Sequence, residues 1–267
     1  MAFLSDFFAA KGISVHHVIF IDSITYPYSG EILKLGKLKN KSNGVCNKFR
    51  RFQILKKYLE RNQFDYIIDF RIRVSFLQEY LISKWLYNAA TIYTVHSSML
   101  DLYLPNSKWK AKLIYEKAYG IVSVSNTIQK NIQAQFDLQN ISTIYNPIAI
   151  SDIHRLSKEM IDIEDKFIIA VGRMKDNVKQ FDKLIVSYSK SILPEQNIKL
   201  LLLGDGEKRT ELEKLEQDLG LSEKVIFKGF VQNPYKYISK SLFFVLSSKR
   251  EGLPTVILES LACVIPV

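Results

Sequence analysis

The chain has 267 residues, of which 47% are hydrophobic and 24% charged, values typical of a folded globular protein and not of a disordered one. No stretch approaches the roughly 20 consecutive apolar residues that a membrane-spanning helix needs. The N-terminus is not typical of a signal peptide, because no basic region precedes its apolar residues and Asp6 interrupts them. Cys46 and Cys263 lack metal-site spacing, so we expect a reducing, cytoplasmic setting.

The net charge of +10 is concentrated in the first half of the chain. Residues 1–150 hold 19 Lys and Arg against 10 Asp and Glu, whereas residues 151–267 hold 18 against 17. The densest basic cluster contains Lys34, Lys37, Lys39, Lys41, Lys48, Arg50, Arg51, Lys56 and Lys57. We expect the first half to meet an anionic partner, although a solvated helix face explains the cluster equally well. No nucleic-acid-binding module is recognisable, so nucleic acid is not the expected partner.

The first 150 residues alternate apolar strand patterns with helical ones, after an opening helix that ends at Gly12. The predicted strands are 15–21, 66–70, 91–96, 120–124 and 141–145, and the predicted helices are 49–61, 74–87, 107–118 and 126–136. Buried strands alternating with helices at this spacing indicate a parallel sheet built of βαβ units. Residues 151–166 are polar and follow Asn146-Pro147, so we interpret them as a linker.

The same alternation restarts after the linker. The predicted strands are 167–171, 198–203, 225–227 and 242–246, and the predicted helices are 180–191, 208–219, 234–239 and 256–262. We therefore predict an α/β protein with two doubly wound, Rossmann-like domains, 1–150 and 167–267, facing a cleft. The chain begins inside a helix and ends at Ile265-Pro266-Val267, which is typical of a strand start. We expect both domains to be incomplete, the first lacking its opening strand and the second its C-terminal end.

The last eighteen residues contain two carboxylates, Glu251 and Glu259, on either side of a predicted helix start at Pro254. The free N–H groups and dipole of a helix N-terminus favour phosphate. Two acidic groups beside such a site suit a sugar nucleotide, which carries hydroxyls on both sides of its diphosphate. For this stretch alone, a surface glutamate before a capped helix, with a second on its solvent face, is the more common explanation.

Further candidates follow predicted strands, where ligands bind in sheets of this type. Gly172 and Arg173 follow the strand at 167–171, and Lys179 begins the next helix. A guanidinium and an ammonium group suit a diphosphate. Surface lysines are common, however, and Lys179 alone is more simply explained as one of them. Gly204 and Gly206 follow the strand at 198–203. Glycine at this place permits a ligand to approach the backbone closely, but a Gly-Asp-Gly turn is also an ordinary connection between a strand and a helix. His96 ends another strand, where it could bind a phosphate or a hydroxyl or cap a loop.

In this order and spacing, the set resembles the retaining GT-B glycosyltransferases of family four. The residues that carry the resemblance are Val171-Gly-Arg173 with Lys179, Leu203-Gly-Asp-Gly206, Phe227-Lys-Gly-Phe230, and Glu251-Gly-Leu-Pro254 with Glu259, which match the E-x7-E motif of the family. The resemblance is close over 167–267 and looser over 1–150. Val264 stands where the family usually has glycine, and a β-branched residue would be strained there if φ is positive.

The resemblance implies a donor site for a nucleoside-diphosphate sugar. Glu251 would bind hydroxyls of the transferred hexose and Glu259 the ribose, and Arg173 and Lys179 would hold the diphosphate and stabilise the leaving group. His96 would face sugar and acceptor, and with Arg173, Lys179 and Glu251 it completes the predicted catalytic set. The remaining predicted donor contacts are Gly172, Gly204, Gly206, Phe230, Val231, Gly252, Leu253 and Pro254.

The resemblance also implies retention of anomeric configuration by front-face attack, in which the leaving phosphate takes the acceptor proton. We predict no cofactor and no metal, since the nearest D-x-D-like tripeptide, Asp162-Ile163-Glu164, lies in the linker before a strand. The expected acceptor is a glycan or lipid-linked saccharide of envelope polysaccharide or glycolipid synthesis. The basic cluster between Lys34 and Lys57 would then dock the enzyme on the anionic inner face of the plasma membrane.

Two other functions remain open at this point. The first is a non-catalytic or inactive nucleotide-sugar-binding fragment of such an enzyme. The second is a dinucleotide oxidoreductase, which requires G-x-G-x-x-G after a strand. Gly204 and Gly206 lack the third glycine of that motif, because position 209 is Arg, so the oxidoreductase ranks last.

Overall fold

A computed structural model describes residues 2–20, 27–41, 44–175 and 177–267 of the chain. It divides into two compact units, Met1–Val95 with Met99–Thr143 and His96–Ser98 with Ile144–Val267. Both units are built on parallel sheets covered by helices, which confirms the predicted α/β class. No helix that the structure describes is long and apolar enough to cross a membrane.

In the part of the first unit that the structure describes, there are six short strands. They are β1 (His16–Ile19), β2 (Glu31–Lys34), β3 (Tyr66–Asp69), β4 (Ala90–Val95), β5 (Gly120–Ser123) and β6 (Ile141–Thr143). β1 pairs with β2, and the other four form a sheet in the order β3-β4-β5-β6, with every pairing parallel. The consecutive parallel order confirms the predicted βαβ connections.

One helix of the first unit precedes β1, and the others follow in the connections between its strands. They are α1 (Ala2–Ala10), α2 (Gly36–Lys41), α3 (Val45–Asn62), α4 (Phe76–Leu81), α5 (Lys108–Tyr115) and α6 (Asn126–Phe136). α3 forms because apolar residues recur at helical spacing, and it buries Leu55 and Leu59 in a cluster with Leu35, Ile82 and Leu86. This cluster joins α3 to the segment that follows α4.

Two expectations for the first unit need correction. The helix predicted at 74–87 is interrupted, because α4 passes into a π-helical segment, Ile82–Leu86, whose wider turn buries Ile82 and Leu86 together. β2 was not predicted at all, since its four residues begin and end with charged side chains that stay exposed. Part of the strand predicted at 15–21 lies outside the described residues.

Arg73 links the carboxyl ends of β3 and β4 through hydrogen bonds. Its buried guanidinium donates to the carbonyl oxygens of Asp69 (3.3 Å) and Thr94 (2.9 Å) and to the Tyr115 hydroxyl (3.2 Å). Arg71 pairs with Asp69 at 2.7 Å. Burial works to raise the pKa of Asp69, but the charge and hydrogen bonds of Arg71 outweigh it, so this pKa lies below its ordinary value. The residues before His96 are therefore held by a buried polar network.

The second unit repeats the same plan. Its strands are β7 (Phe167–Val171), β8 (Lys199–Leu203) and β9 (Val225–Gly229), and its helices are α7 (Ile150–Leu156), α8 (Phe181–Ser189), α9 (Arg209–Asp218), α10 (Tyr235–Ile238) and α11 (Thr255–Ala262). The strands pair in parallel in the order β7-β8-β9. β7 and β8 are almost wholly apolar, as expected for strands buried on both faces.

Alternate residues of β7 and β8 enter two separate cores. Ile168 and Leu200 pack with residues of α8 and α9, whereas Ile169 and Leu201 pack with residues of α10 and α11. Because side chains alternate across a strand, the two sets mark opposite faces of the sheet. The second unit is thus doubly wound.

Two expectations for the second unit also differ from the structure. The segment predicted as a strand at 242–246 forms an isolated parallel bridge, Ile169 with Phe244, in place of a full strand. Its backbone still runs along β7, because the N–H groups of Leu242 and Val245 donate to the Phe167 and Ile169 carbonyls at 2.9 and 2.8 Å. Within the segment predicted as a linker, 151–166, the structure places most of α7, which contacts α11. A short polar segment can form a helix when tertiary packing stabilises it, and here the buried residue of α7 is Ile153.

Candidate functional site

The loops that follow β7 and β8 pack backbone against backbone, and this explains their glycines. A Cβ on Gly204, which has φ +131°, would lie 1.9 Å from the Gly172 carbonyl oxygen. A Cβ on Gly206, with φ +156°, would lie 2.5 Å from the Met174 backbone. The packing of the two loops therefore requires glycine at both positions, whereas the close approach of a ligand to these glycines stays a prediction.

Lys179 reaches back across the loop after β7, while Arg173 in that loop is exposed. A Cβ on Gly172 would lie 3.0 Å from Cε of Lys179, so the aliphatic part of the lysine lies directly over this glycine. Gln180 follows with a left-handed backbone, φ +48°, and α8 begins at the next residue. This backbone turn places the Lys179 ammonium near the carboxyl end of β7.

The Lys179 ammonium pairs with Glu251, its Nζ lying 2.8 Å from Oε1 of the carboxylate. The two segments are also joined through their backbones. The Ser247 hydroxyl donates to the Lys179 carbonyl at 2.6 Å, and the Lys249 N–H donates to the Val178 carbonyl at 2.8 Å. These bonds hold two candidate residues, 72 positions apart in sequence, beside one another.

Gly252 has a steric reason to be glycine. A Cβ at this position would lie 2.1 Å from the His96 carbonyl oxygen. The segment His96–Ser98 groups with the second unit, so the half-buried His96 lies beside the loop that carries Glu251. The structure thus brings His96 close to the candidate donor residues, although its sequence position is more than 150 residues away.

Glu259 lies in α11, half-buried among apolar residues. The helix begins at Thr255 with Pro254 as its N-cap, one residue later than the first-turn position that we predicted for the proline. Burial raises the pKa of the Glu259 carboxyl above its ordinary value. Among the residues that the structure describes, this carboxylate has no hydrogen-bond or ion-pair partner, so it is available to a ligand hydroxyl.

The residues predicted to lie near the base occupy two environments. Phe230 follows β9 and is exposed, whereas Val231 packs against the apolar cluster that contains Tyr237 and Phe244. An exposed ring can stack on a planar ligand, while a core valine can contribute only through its backbone or one face.

Asn146 is a residue that the sequence reasoning missed as a contributor to this site. Its side-chain amide donates to the Leu253 carbonyl at 3.4 Å and so supports the loop between Glu251 and α11. The only signal in the sequence was Asn146-Pro147, which we interpreted as a break before the linker. A contact across more than 100 residues leaves no local pattern from which it could be found.

The D-x-D-like tripeptide is engaged within the protein. Asp162 accepts hydrogen bonds from the ammonium of Lys228 and from the Tyr237 hydroxyl. The hydrogen bonds from Lys228 and Tyr237 lower the pKa of Asp162 to about 2. The part of the chain that the structure describes contains no cluster of three His, Cys, Asp or Glu residues arranged to hold a metal ion.

The candidate residues thus gather near the carboxyl ends of parallel strands, the usual ligand-binding edge of such a sheet. Lys179 and Glu251 pair directly, Gly172 lies under the lysine, and Gly204 and Gly206 pack the neighbouring loop against it. A cation beside hydrogen-bond acceptors can bind an anion that also carries hydroxyl groups.

Two family models match the chain and together span nearly all of it. The model described as Glycosyltransferase Family 4 matches residues 2–152, more than half of the chain. The model described as Glycosyl transferases group 1 matches residues 155–267.

Curated relatives include two proteins of Campylobacter jejuni. One is the N-acetylgalactosamine-N,N'-diacetylbacillosaminyl-diphospho-undecaprenol 4-alpha-N-acetylgalactosaminyltransferase, 36% identical over 159 residues, which are 59% of this chain and 42% of the relative. The other is the GalNAc-alpha-(1->4)-GalNAc-alpha-(1->3)-diNAcBac-PP-undecaprenol alpha-1,4-N-acetyl-D-galactosaminyltransferase, 27% identical over 81% of this chain and 58% of the relative. The chain spans about half the length of these relatives.

Among solved structures, a glycosyltransferase from Rickettsia africae superposes with a TM-score of 0.71 at 17% identity, covering 98% of this chain and 72% of that protein. At this identity the likeness shows the fold, which is the predicted GT-B fold. With a family model matched over more than half of its length, the chain belongs to glycosyltransferase family 4.

Proposed function

We propose that the chain belongs to a retaining, metal-independent glycosyltransferase. It would transfer a hexose from a nucleoside-diphosphate sugar to a glycan or lipid-linked acceptor in envelope polysaccharide or glycolipid synthesis. The observation that carries this proposal is the pairing of Lys179 with Glu251 at 2.8 Å, beside the glycine loops after β7 and β8. At the carboxyl ends of these strands, the ammonium group suits the diphosphate of such a donor and the carboxylate suits its sugar hydroxyls.

Each candidate side chain has a proposed role. Lys179 and Arg173 bind the diphosphate and stabilise the charge that develops on it as the glycosidic bond breaks. Glu251 accepts hydrogen bonds from hexose hydroxyls, and Glu259 accepts them from the ribose. His96 contacts the sugar and the acceptor from the end of β4. The exposed ring of Phe230 stacks on the base, with Val231 beside it.

The acceptor is proposed to be membrane-linked. The two Campylobacter jejuni relatives carry undecaprenol-linked diphosphate saccharides in their names. In the present chain, Lys48, Arg50, Lys56 and Lys57 are exposed on α3, and the apolar Val45 and Phe49 are exposed on its first two turns. The side chains of Lys39 and Lys41, which belong to the same predicted cluster, lie outside the described part. An amphipathic basic helix of this kind binds anionic lipid, and we propose peripheral attachment to the inner face of the plasma membrane.

A second surface of the same unit supports the attachment. Trp109 is exposed and contacts the Phe76 ring edge to face, with 5.8 Å between the ring centres. The Lys110 ammonium lies 5.2 Å from the centre of the Phe76 ring. Aromatic side chains beside lysines are typical of surfaces that lie at the lipid headgroups.

The proposal is tested by measuring donor binding and transfer in parallel. Calorimetry with a panel of uridine- and guanosine-diphosphate hexoses identifies the donor, and release of free nucleotide in the presence of a polyprenyl-diphosphate saccharide measures transfer. We expect one donor to bind and to be consumed, and nuclear magnetic resonance of the product should show the anomeric configuration of the donor.

The outcomes separate the proposal from its rival. Binding without nucleotide release supports the non-catalytic nucleotide-sugar-binding protein instead. An inverted product removes the retaining mechanism but leaves glycosyl transfer standing. Failure of every donor to bind contradicts both the transferase and the binding protein.

A further inference from the structure

The Lys179–Glu251 ion pair has a consequence for which ligands the proposed donor site accepts. Both side chains are mostly buried, 22% and 26% exposed, and Nζ lies 2.8 Å from Oε1. The same two residues are those that the proposed function assigns to the diphosphate and to the hexose. The inference drawn from the pair therefore rests on that function and concerns the selectivity of the site.

The pair is fixed by its surroundings on both sides. The stem of Lys179 lies over Gly172, and the Ser247 and Lys249 bonds tie the backbones of the two segments together. On the far side, Gly252 lies against the His96 carbonyl oxygen, so the backbone beside Glu251 has little room to withdraw. Lys179 and Glu251 are thus held together by loops that are hydrogen-bonded and closely packed, unlike two long side chains that meet in solvent.

A bound anion must compete with Glu251 for the Lys179 ammonium. A free nucleoside diphosphate brings only negative charge to this point, and it meets the repulsion of the carboxylate as well as the loss of its ion pair. An intact donor also carries hexose hydroxyls, which can donate hydrogen bonds to Glu251 and so satisfy the carboxylate when the lysine turns to the phosphates.

We infer that Glu251 selects the intact sugar nucleotide over the free nucleoside diphosphate, and so favours release of the nucleotide product after transfer. Removing its charge frees Lys179 for the phosphates. Since partly exposed ion pairs contribute modest free energies, the expected gain in affinity for a nucleoside diphosphate is about threefold to tenfold.

The test compares Glu251→Gln with the unchanged chain by calorimetry, using uridine diphosphate, guanosine diphosphate and inorganic pyrophosphate as probes. Gln keeps the shape of Glu and one acceptor oxygen without its charge, and circular dichroism confirms folding. Glu223→Gln, an exposed glutamate in the loop before β9, is the matched control. We expect Glu251→Gln to bind the preferred nucleotide about threefold to tenfold more tightly at low salt, and Glu223→Gln to leave the affinity unchanged.

The intact donor provides the second arm. Glu251→Gln should bind the sugar nucleotide with a smaller gain or a loss, so the ratio of donor affinity to nucleoside-diphosphate affinity falls. A merely structural role for Glu251 would weaken both ligands together. Equal or weaker binding of the nucleoside diphosphate by Glu251→Gln overturns the inference.

Lys179→Ala separates this inference from the proposed function. If the unchanged chain binds a nucleotide and Lys179→Ala does not, the site is correct, and only the Glu251→Gln result decides the selectivity. If no nucleotide binds, or if Lys179→Ala binds as well as the unchanged chain, the proposed donor site itself is wrong and the selectivity inference is overturned with it.

Discussion

Val264 has a strained backbone conformation for a β-branched residue. It has φ +61° and is 84% exposed, at the end of α11. The Ile265 N–H bonds the Ser260 carbonyl at 3.1 Å and the Val264 N–H bonds the Leu261 carbonyl at 2.9 Å, which together form a Schellman motif. Glycine is the usual residue at this position, and the predicted strain at Val264 follows from its β-branch.

Val264→Gly should therefore stabilise the second unit. Relief of the left-handed strain is worth about 1–3 kcal/mol, and the extra freedom of glycine in the unfolded chain takes back about 0.4–1 kcal/mol. We expect a net gain of about 1 kcal/mol, measured by thermal unfolding followed by circular dichroism. Val264→Ala, which removes only the branch, should gain less. A Val264→Gly chain that melts below the unchanged one would contradict the strain.

Glu259 should cost stability in the absence of ligand. Burial raises its pKa above the ordinary 4.5, so the unfolded chain gives up this proton at lower pH than the folded chain. As the pH rises through this range, ionisation favours the unfolded state, and the penalty is fully present above the folded pKa.

Glu259→Gln is thus expected to raise the melting temperature at about pH 7.5 and to have a smaller effect at about pH 3, where the carboxyl is mostly protonated in both states. Melting curves of the two chains at both values measure this. Glu223→Gln should shift neither curve. A Glu259→Gln effect that is equal at both pH values would show that desolvation of the charge is not its cause.

At the scale of elements, the buried network of Arg73 sets the ends of β3 and β4. Its guanidinium forms hydrogen bonds with Asp69, Thr94 and Tyr115 and also faces the Tyr93 and Tyr103 rings at 5.1 and 5.4 Å. Arg73→Met leaves several buried acceptors unpaired and should destabilise the first unit by about 3 kcal/mol.

Arg73→Lys serves as the charge-conserving comparison. A lysine cannot reproduce the planar fork that reaches two strands at once, so we expect it to recover less than half of the loss. Denaturant unfolding of both variants measures the difference. A Lys variant as stable as the unchanged chain would mean that charge, and not the directed hydrogen bonds, holds these strands.

The helix α3 carries the membrane prediction. Neutralising Lys48 and Arg50 together, as Lys48→Gln with Arg50→Gln, should weaken binding to vesicles of phosphatidylcholine and phosphatidylglycerol about tenfold or more, at about 1 kcal/mol per basic residue. Flotation of the chain with these vesicles measures the change. Lys190→Gln with Lys214→Gln, on the second unit, is the matched control. Equal loss in both double variants would show a net-charge effect in place of a docking helix.

For the molecule as a whole, patterns that repeat along the chain were predictable and contacts between distant segments were not. The apolar runs of β7 and β8 and the amphipathic face of α3 follow from periodicity, because burial of a strand or a helix face leaves a regular pattern. Whether β2 and the segment around Phe244 form strands depends on the neighbouring strand that each meets. Pairing of this kind leaves little pattern in the sequence of a short segment.

The site divides in the same way. The spacing of Glu251 and Glu259 was visible in the sequence, and so were the glycines after β7 and β8. The reason that glycine is required comes only from the fold: Gly204 packs on Gly172, and Gly252 packs on the His96 carbonyl. The Lys179–Glu251 pair joins two loops that only the parallel sheet brings together.

The most direct test of the central claim is turnover by Lys179→Ala and Glu259→Ala, each compared with a surface control, Lys214→Ala or Glu223→Ala. Release of free nucleotide from the identified donor, in the presence of acceptor, is the measurement. If these residues form a donor site, both variants should lose about a hundredfold or more in kcat/KM while remaining folded, and the controls should keep full activity. Unchanged turnover in Lys179→Ala or in Glu259→Ala would contradict the account.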